Sequence, residues 1–95
     1  MKEYIKTVYN VRRIGVTKTI TVGDYLSLEE AERNMVNHYN TTPKRGRFDY
    51  CIMEEELWNY DGVVAKEFSS SLSGRGKCNF YKRYTMQEIE LLRIL

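Results

Sequence analysis

The chain has 95 residues, with 15 Lys and Arg against 13 Asp and Glu, which gives a formal net charge of +2. This length provides apolar surface for one hydrophobic core, so we expect a single domain over residues 1–95. A hydrophobic fraction of 42% and a charged fraction of 29% are typical of a soluble globular protein. The small charge excess argues against a strongly electrostatic nucleic-acid binder.

Two cysteines, Cys51 and Cys78, are too few for a disulfide framework. No apolar segment follows Met1 to suggest a secretion signal. No run approaches the roughly 20 apolar residues that a membrane span needs. These features predict a cytoplasmic protein without a membrane role.

Alternating polar and apolar residues predict a first strand over 3–14 and a second over 17–22, joined at Gly15 into a hairpin. Ile5 is placed on the buried side of the first strand. Gly23 and Asp24 are expected to produce a bulge or bend, because glycine inside a strand pattern often marks one.

A capping box at Ser27 and Glu30 then predicts the start of a helix, with Leu26 and Ala31 in the positions of a hydrophobic staple. The periodic apolar positions extend the helix from about Leu28 to Tyr39. A loop over 40–47 follows, and it is expected to be exposed and basic.

A second hairpin is predicted from about Phe48, and two registers are possible. A two-residue turn at Asp61 and Gly62 would place Glu56 opposite Glu67, with like charges facing each other. A four-residue turn over 59–62 instead aligns the opposite charges of Glu55 and Lys66, so it is the predicted register.

Residues 69–77 form a predicted flexible basic loop, and 78–84 a short strand. A second capping box, Thr85 with Glu88, starts a terminal helix, with Tyr84 and Ile89 as its staple. The predicted fold is therefore α+β, an antiparallel sheet in the order ββαββ(β)α with the helices on one face. The predicted core is Ile5, Tyr9, Val11, Ile20, Val22, Leu28, Ala31, Met35, Tyr39, Tyr50, Ile52, Ile89 and Leu92.

No motif supports catalysis. The run 71–78 ends like a phosphate-binding loop but lacks its first glycine and its Ser or Thr. His38 and the two cysteines have no metal-ligand spacing. Glu54 and Glu56 share a strand face, but a solvated edge explains them. We therefore predict a protein that is not an enzyme and has no metal or cofactor.

Nucleic-acid binding is one candidate function. Residues 16–39, a strand running into Tyr25 to Ala31, resemble the strand-to-helix junction of plant AP2-type and phage-integrase arm-binding DNA domains. The resemblance implies a sheet that enters the major groove with a helix behind it. Basic and aromatic residues on the first hairpin and near the last strand would make the contacts. They are Arg12, Arg13, Lys18, Tyr81, Lys82 and Arg83.

The favoured hypothesis is a small protein that modulates or inhibits a protein partner, as phages and other mobile elements encode. Trp, Tyr and Arg are enriched at binding hot spots. The second hairpin turn, expected to be exposed, and the two basic loops supply these residue types. The predicted partner-binding residues are Trp58, Tyr60, Asp61, Lys44, Arg45, Arg47, Arg75 and Lys77. The sequence leaves the partner and the oligomeric state open.

Overall fold

The computed structural model describes residues 2–68 and 82–94, which form an antiparallel sheet with two helices. The elements are β1 Lys2–Ile14, β2 Thr19–Tyr25, α1 Leu28–Thr41, a short 3-10 turn Lys44–Gly46, β3 Asp49–Tyr60, β4 Val63–Phe68, β5 Lys82–Tyr84 and α2 Met86–Ile94. The predicted α+β class and element order are confirmed, and the optional last strand is present as β5.

The sheet has the order β2-β1-β3, and β3 has two further partners on its outer side. β5 pairs with residues 50–52 of β3, and β4 pairs with residues 55–60. A bulge in the β1–β2 pairing lies beside Gly23, as expected, and β2 then continues to Tyr25. β3 is therefore the strand that joins the two halves of the sheet.

The first helix begins where the sequence predicts. The Ser27 hydroxyl accepts a hydrogen bond from the Glu30 backbone N–H at 3.1 Å, which satisfies one of the donors left over at a helix start. The helix ends at Thr41, two residues later than predicted. Leu26 is 64% exposed, so the expected staple to Ala31 is wrong. The cap alone accounts for this helix start.

The core lies between the helices and one face of β1, β3 and β5. Its fully buried members are Val11, Ala31, Met35, Tyr39, Tyr50, Ile52, Tyr84 and Ile89. Tyr9, Val22, Leu28 and Leu92 pack against it and are partly buried. Ile20 is half-buried and lies outside this cluster. Ile5 is 45% exposed, so its assignment to the core is wrong. Ile5 is the extra residue of a bulge between Tyr4 and Lys6, beyond the region that the helices cover.

The second capping box forms in both directions. The Thr85 hydroxyl accepts from the Glu88 backbone N–H, and the Glu88 carboxylate accepts from the Thr85 N–H, each at 3.2 Å. Tyr84 and Ile89 flank this cap and both lie in the core. α2 is thereby held against the end of β5.

The register predicted for the second hairpin is wrong. The structure has the two-residue turn, with Tyr60 opposite Val63 and Glu56 opposite Glu67. Asp61 and Gly62 have φ angles of 52° and 93°, and positive φ at both positions gives a turn that matches the twist of the strands. This geometry outweighs the facing like charges, whose cost is about 0.2–1 kcal/mol.

Several predicted features lie outside the described residues. They are the basic loop over 69–77 with Arg75 and Lys77, the run 71–78 that was compared with a phosphate-binding loop, Cys78 and Tyr81. Within the described ranges, neither helix is long and apolar enough to cross a membrane.

Candidate functional site: an aromatic arm

One end of the sheet extends past the helices. This arm consists of residues 2–8 of β1, residues 55–60 of β3, and β4. The cluster packed under the helices includes no residue of the arm and reaches only Tyr9 along β1, while Val8 and Glu55 of the arm are buried on the opposite face of the sheet. The molecule is accordingly long and narrow, with principal extents of 47, 25 and 18 Å.

Both strands of the arm direct aromatic side chains to the face of the sheet that carries the helices farther along. Side chains alternate along a strand, so Trp58 and Tyr60 lie on the same face as Tyr50 and Ile52, which belong to the core. Tyr4 is opposite Trp58, and Lys2 is opposite Tyr60. We call this surface, formed by Lys2, Tyr4, Glu56, Trp58, Tyr60 and Val63, the arm face.

The side chains of the arm face contact one another. The Tyr4 ring meets Trp58 edge to face, with centroids 5.4 Å apart and planes at 74°. Lys2 Nζ lies 4.3 Å from the Trp58 ring centroid and 5.6 Å from that of Tyr60. Trp58 Nε1 donates a hydrogen bond to Glu56 Oε1 at 2.9 Å. The indole is therefore held by a carboxylate at its edge and by a cation over its face.

The arm face carries large apolar side chains, and neither of the described helices covers it. Tyr4 is 52% exposed and Val63 66% exposed. Trp58 and Tyr60 are half-buried, which corrects the expectation that both are exposed. Tyr4 and Lys2 pack against Trp58 and account for part of this burial. Such a surface, large aromatic rings with polar tips at the edge of water, has the composition of binding hot spots.

The predicted partner-binding residues divide between the two ends of the molecule. Trp58, Tyr60 and the exposed Asp61 are together on the arm. Lys44 and Arg45 are exposed in the 3-10 turn that precedes β3. Within β3, Asp49 at the start of the strand and Trp58 are about 30 Å apart at the rise of an extended strand. The two groups therefore occupy separate parts of the molecule.

Arg47 binds backbone carbonyls at the C-terminal end of α1. Its Nε donates to the backbone carbonyls of Tyr39 and Thr42, at 3.2 and 3.1 Å, at the C-terminal end of α1. Its side chain is only 15% exposed. A cation there satisfies carbonyls that the helix leaves unpaired. Arg47 therefore does not present its charge freely to a partner, as the prediction of an exposed basic loop required.

The predicted nucleic-acid residues are divided between the two faces of the sheet. Arg12 and Arg13 are adjacent in β1 and lie on opposite faces of the sheet. Arg12 Nε donates to Asn10 Oδ1 at 2.5 Å, and its guanidinium lies 3.9 Å from the buried Glu55 carboxylate. Arg13 Nη1 donates to the Gly46 carbonyl at 3.2 Å. Both arginines thus contact groups of the protein itself.

Two other basic candidates, Lys82 and Arg83, also lie beside carboxylates of the protein. Lys82 Nζ is 3.8 Å from a Glu88 oxygen, and Arg83 Nη2 is 2.9 Å from Asp49 Oδ2. Lys18 is exposed in the turn between β1 and β2, at the end of the sheet opposite the arm. Arg12 and Arg83 both align with Cys51, so they share the sheet face away from the helices, whereas Arg13 and Lys82 lie on the other face.

Sequence reasoning missed Tyr4 and Lys2 as parts of the site. Alternation along β1 is interrupted by the bulge at Ile5, so a simple period of two places Tyr4 on the wrong face. The pairing of β1 with β3, which places Tyr4 opposite Trp58, comes from the tertiary structure, so no local sequence signal could have found these two residues.

A polar cluster outside the arm contains His38, the single histidine of the chain. His38 Nδ1 and the Tyr50 hydroxyl are 2.5 Å apart. Burial lowers the pKa of His38, and the nearby Arg13 charge lowers it further. Cys51 follows Tyr50 in β3 and therefore lies on the other face. The described residues contain no cluster of His, Cys, Asp or Glu that could hold a metal ion.

Comparison of the chain with protein families, curated proteins and solved structures finds no match. The geometry of the arm is therefore the main observation from which a function can be argued.

Proposed function

We propose that the protein is a non-enzymatic binding module that docks on a protein partner through its arm face, and modulates or inhibits the partner by covering its surface. The observation that carries this proposal is the contact of Tyr4 and Lys2 with Trp58 on a sheet face that no described helix covers.

The arrangement supports a protein partner because the rings are already ordered. Tyr4 and Trp58 are packed edge to face, and the indole N–H is bound to Glu56. Docking on an ordered aromatic surface costs less side-chain entropy than docking on a loose one. A protein surface with an apolar groove would bury the rings and keep their polar tips hydrated.

The nucleic-acid alternative has less support. The arm face carries the carboxylate of Glu56 beside its central ring, and that charge repels a phosphate backbone. The predicted basic residues Arg12 and Arg83 are engaged with Glu55 and Asp49. An aromatic surface used for stacking nucleic-acid bases is normally accompanied by a positively charged groove.

The proposal is tested by affinity capture from an extract of the cells that produce the protein, with Tyr4→Ala as the variant. Tyr4 is 52% exposed, so its truncation should leave the fold intact. We expect loss of the captured partner by about tenfold or more, the range of an interface hot spot. Trp58→Ala should show the same loss.

The matched control is Val16→Ala. Val16 is 85% exposed and lies in the β1–β2 turn at the opposite end of the sheet. This variant should capture the same partner in the same amount as the wild type. Equal capture by folded Tyr4→Ala, folded Trp58→Ala and wild type would contradict the proposal. Circular dichroism of each variant establishes that it is folded.

A further inference from the structure

We propose that Lys2 occupies a cation site on the arm face, and that a lysine or arginine side chain of the partner displaces Lys2 when the complex forms. This inference rests on the proposed function and specifies its chemistry. The partner segment is an extended basic peptide rather than an acidic or purely apolar one.

The first step of the argument is the geometry of Lys2. Its ammonium group is 4.3 Å from the centre of the Trp58 ring and 5.6 Å from the centre of the Tyr60 ring. A cation within about 6 Å of a ring centroid is attracted by the negative face of the ring, and Trp is the strongest such ring. Two rings of the arm face therefore converge on one cation position.

The second step is the charge around this position. The Glu56 carboxylate accepts from the Trp58 indole N–H, so it is held beside the same ring. Asp61 is exposed in the adjoining turn, directly after Tyr60. Carboxylates near aromatic rings favour a positively charged occupant and disfavour an acidic one. The carboxylates and the rings thus both favour a positively charged occupant.

The third step is the ease with which Lys2 can leave. Lys2 is exposed and pairs with Tyr60 in the outermost described pair of the β1–β3 ladder. The ends of a sheet open locally at little free-energy cost, whereas positions next to the core do not. Trp58 and Tyr60 belong to β3, which has a strand on each side at this point. This end of β1 can therefore open locally while the rings of β3 stay in place.

The direct test uses Trp58, the single tryptophan of the chain, as a fluorescent reporter. The probes are an acetylated, amidated tetralysine peptide and a tetraglutamate peptide of the same form. Titration into the variant Lys2→Met should change the Trp58 emission with tetralysine only. We expect roughly two- to fivefold tighter binding of tetralysine to Lys2→Met than to wild type, since the variant has no resident cation to displace.

The matched control is Lys6→Met. Lys6 is exposed and lies on the opposite face of the sheet, aligned with Leu57. The Lys6→Met substitution removes one positive charge from β1, as Lys2→Met does, but it leaves Lys2 in place over the Trp58 ring. Tetralysine should bind Lys6→Met with the wild-type affinity. Tyr60→Leu in the Lys2→Met background should return the affinity to the wild-type level or below it.

Three outcomes would overturn the inference. They are equal tetralysine affinities of Lys2→Met and Lys6→Met, binding of tetraglutamate as tight as that of tetralysine, and concentration-dependent dimerisation of the wild type in sedimentation that Tyr4→Ala abolishes. The last would make a second copy of the chain the occupant. Should the partner still be lost from Tyr4→Ala while tetralysine fails to bind, the proposed function stands and only this inference fails.

Discussion

The hydroxyl of Tyr84 donates a hydrogen bond to Glu32 Oε2 at 2.5 Å, which links β5 to the N-terminal half of α1. Tyr84 is 1% exposed, and its ring belongs to the core between the sheet and the helices. The short strand β5 is therefore held by its pairing with β3 and by a bond to α1.

Removal of that hydroxyl should weaken the domain. We expect Tyr84→Phe to lower the free energy of unfolding by about 1–2 kcal/mol, because a hydrogen bond to a charged group is lost from a buried ring. Urea denaturation followed by circular dichroism measures this change. Tyr25→Phe is the control, since the Tyr25 hydroxyl makes no hydrogen bond among the described residues. Equal effects of the two substitutions would contradict the prediction.

The helix start allows a paired prediction. Ser27→Ala should cost about 1 kcal/mol, because the Glu30 backbone N–H loses its acceptor. Leu26→Ala should change stability by less than about 0.5 kcal/mol, as is usual for an exposed position without such a partner. Both are measured by urea denaturation. A larger loss for Leu26→Ala than for Ser27→Ala would show that a staple, and not the cap, holds this end of the helix.

The turn of the second hairpin is sensitive to backbone conformation. Gly62 has φ of 93°, and a Cβ there would meet no atom within 4 Å, so any penalty comes from the backbone. Gly62→Ala should destabilise the protein by about 1 kcal/mol. Gly62→Asn is the control and should cost less, because Asn tolerates positive φ better than Ala. Thermal unfolding compares them, and identical midpoints for the two variants would contradict the observed turn.

The stability of the protein should fall in mild acid because of His38. Burial and the Arg13 charge lower the pKa of His38 in the folded protein, below its ordinary value of 6.5. Between the lowered pKa and pH 6.5, the His38 imidazole therefore binds more protons in the unfolded chain than in the folded protein. The stabilisation from neutral His38 is complete above pH 6.5 and is lost as the pH falls from there through the lowered pKa.

Urea midpoints between pH 8 and about pH 5 test this linkage. The decline below pH 6.5 should be smaller in His38→Gln, since this variant removes the single histidine of the chain. The decline that remains in His38→Gln comes from protonation of carboxylates. A pH profile that is unchanged by the substitution would contradict the lowered pKa, and a proton NMR titration of the imidazole would measure that pKa directly.

Nucleic-acid binding can be tested independently of any partner. We expect random duplex and single-stranded DNA to bind weakly at low salt and not at all at about 0.15 M salt, because Arg12 and Arg83 are already paired with carboxylates. Fluorescence anisotropy of labelled DNA over a salt series measures this. Tight binding that persists at physiological salt and is lost in Arg13→Ala would favour the alternative function.

Local sequence signals determined the elements of this protein. The caps at Ser27 and Thr85 depend on residues three positions apart, and such interactions form within one turn of chain. Alternation placed Val11 and Ile52 in the core, and helical spacing placed Ala31 and Met35 there. The α+β class and the order of elements followed from these patterns alone.

Only the tertiary structure decided what depends on pairing between distant strands. The bulge at Ile5 moves Tyr4 onto the face of Trp58, and this shift exists only because β1 pairs with β3. The hairpin turn was decided by backbone twist over a small charge penalty, which composition does not reveal. The separation of Lys44 and Arg45 from Trp58 follows from the length of β3. The described helices pack beside the core cluster and do not extend over the aromatic face of the arm.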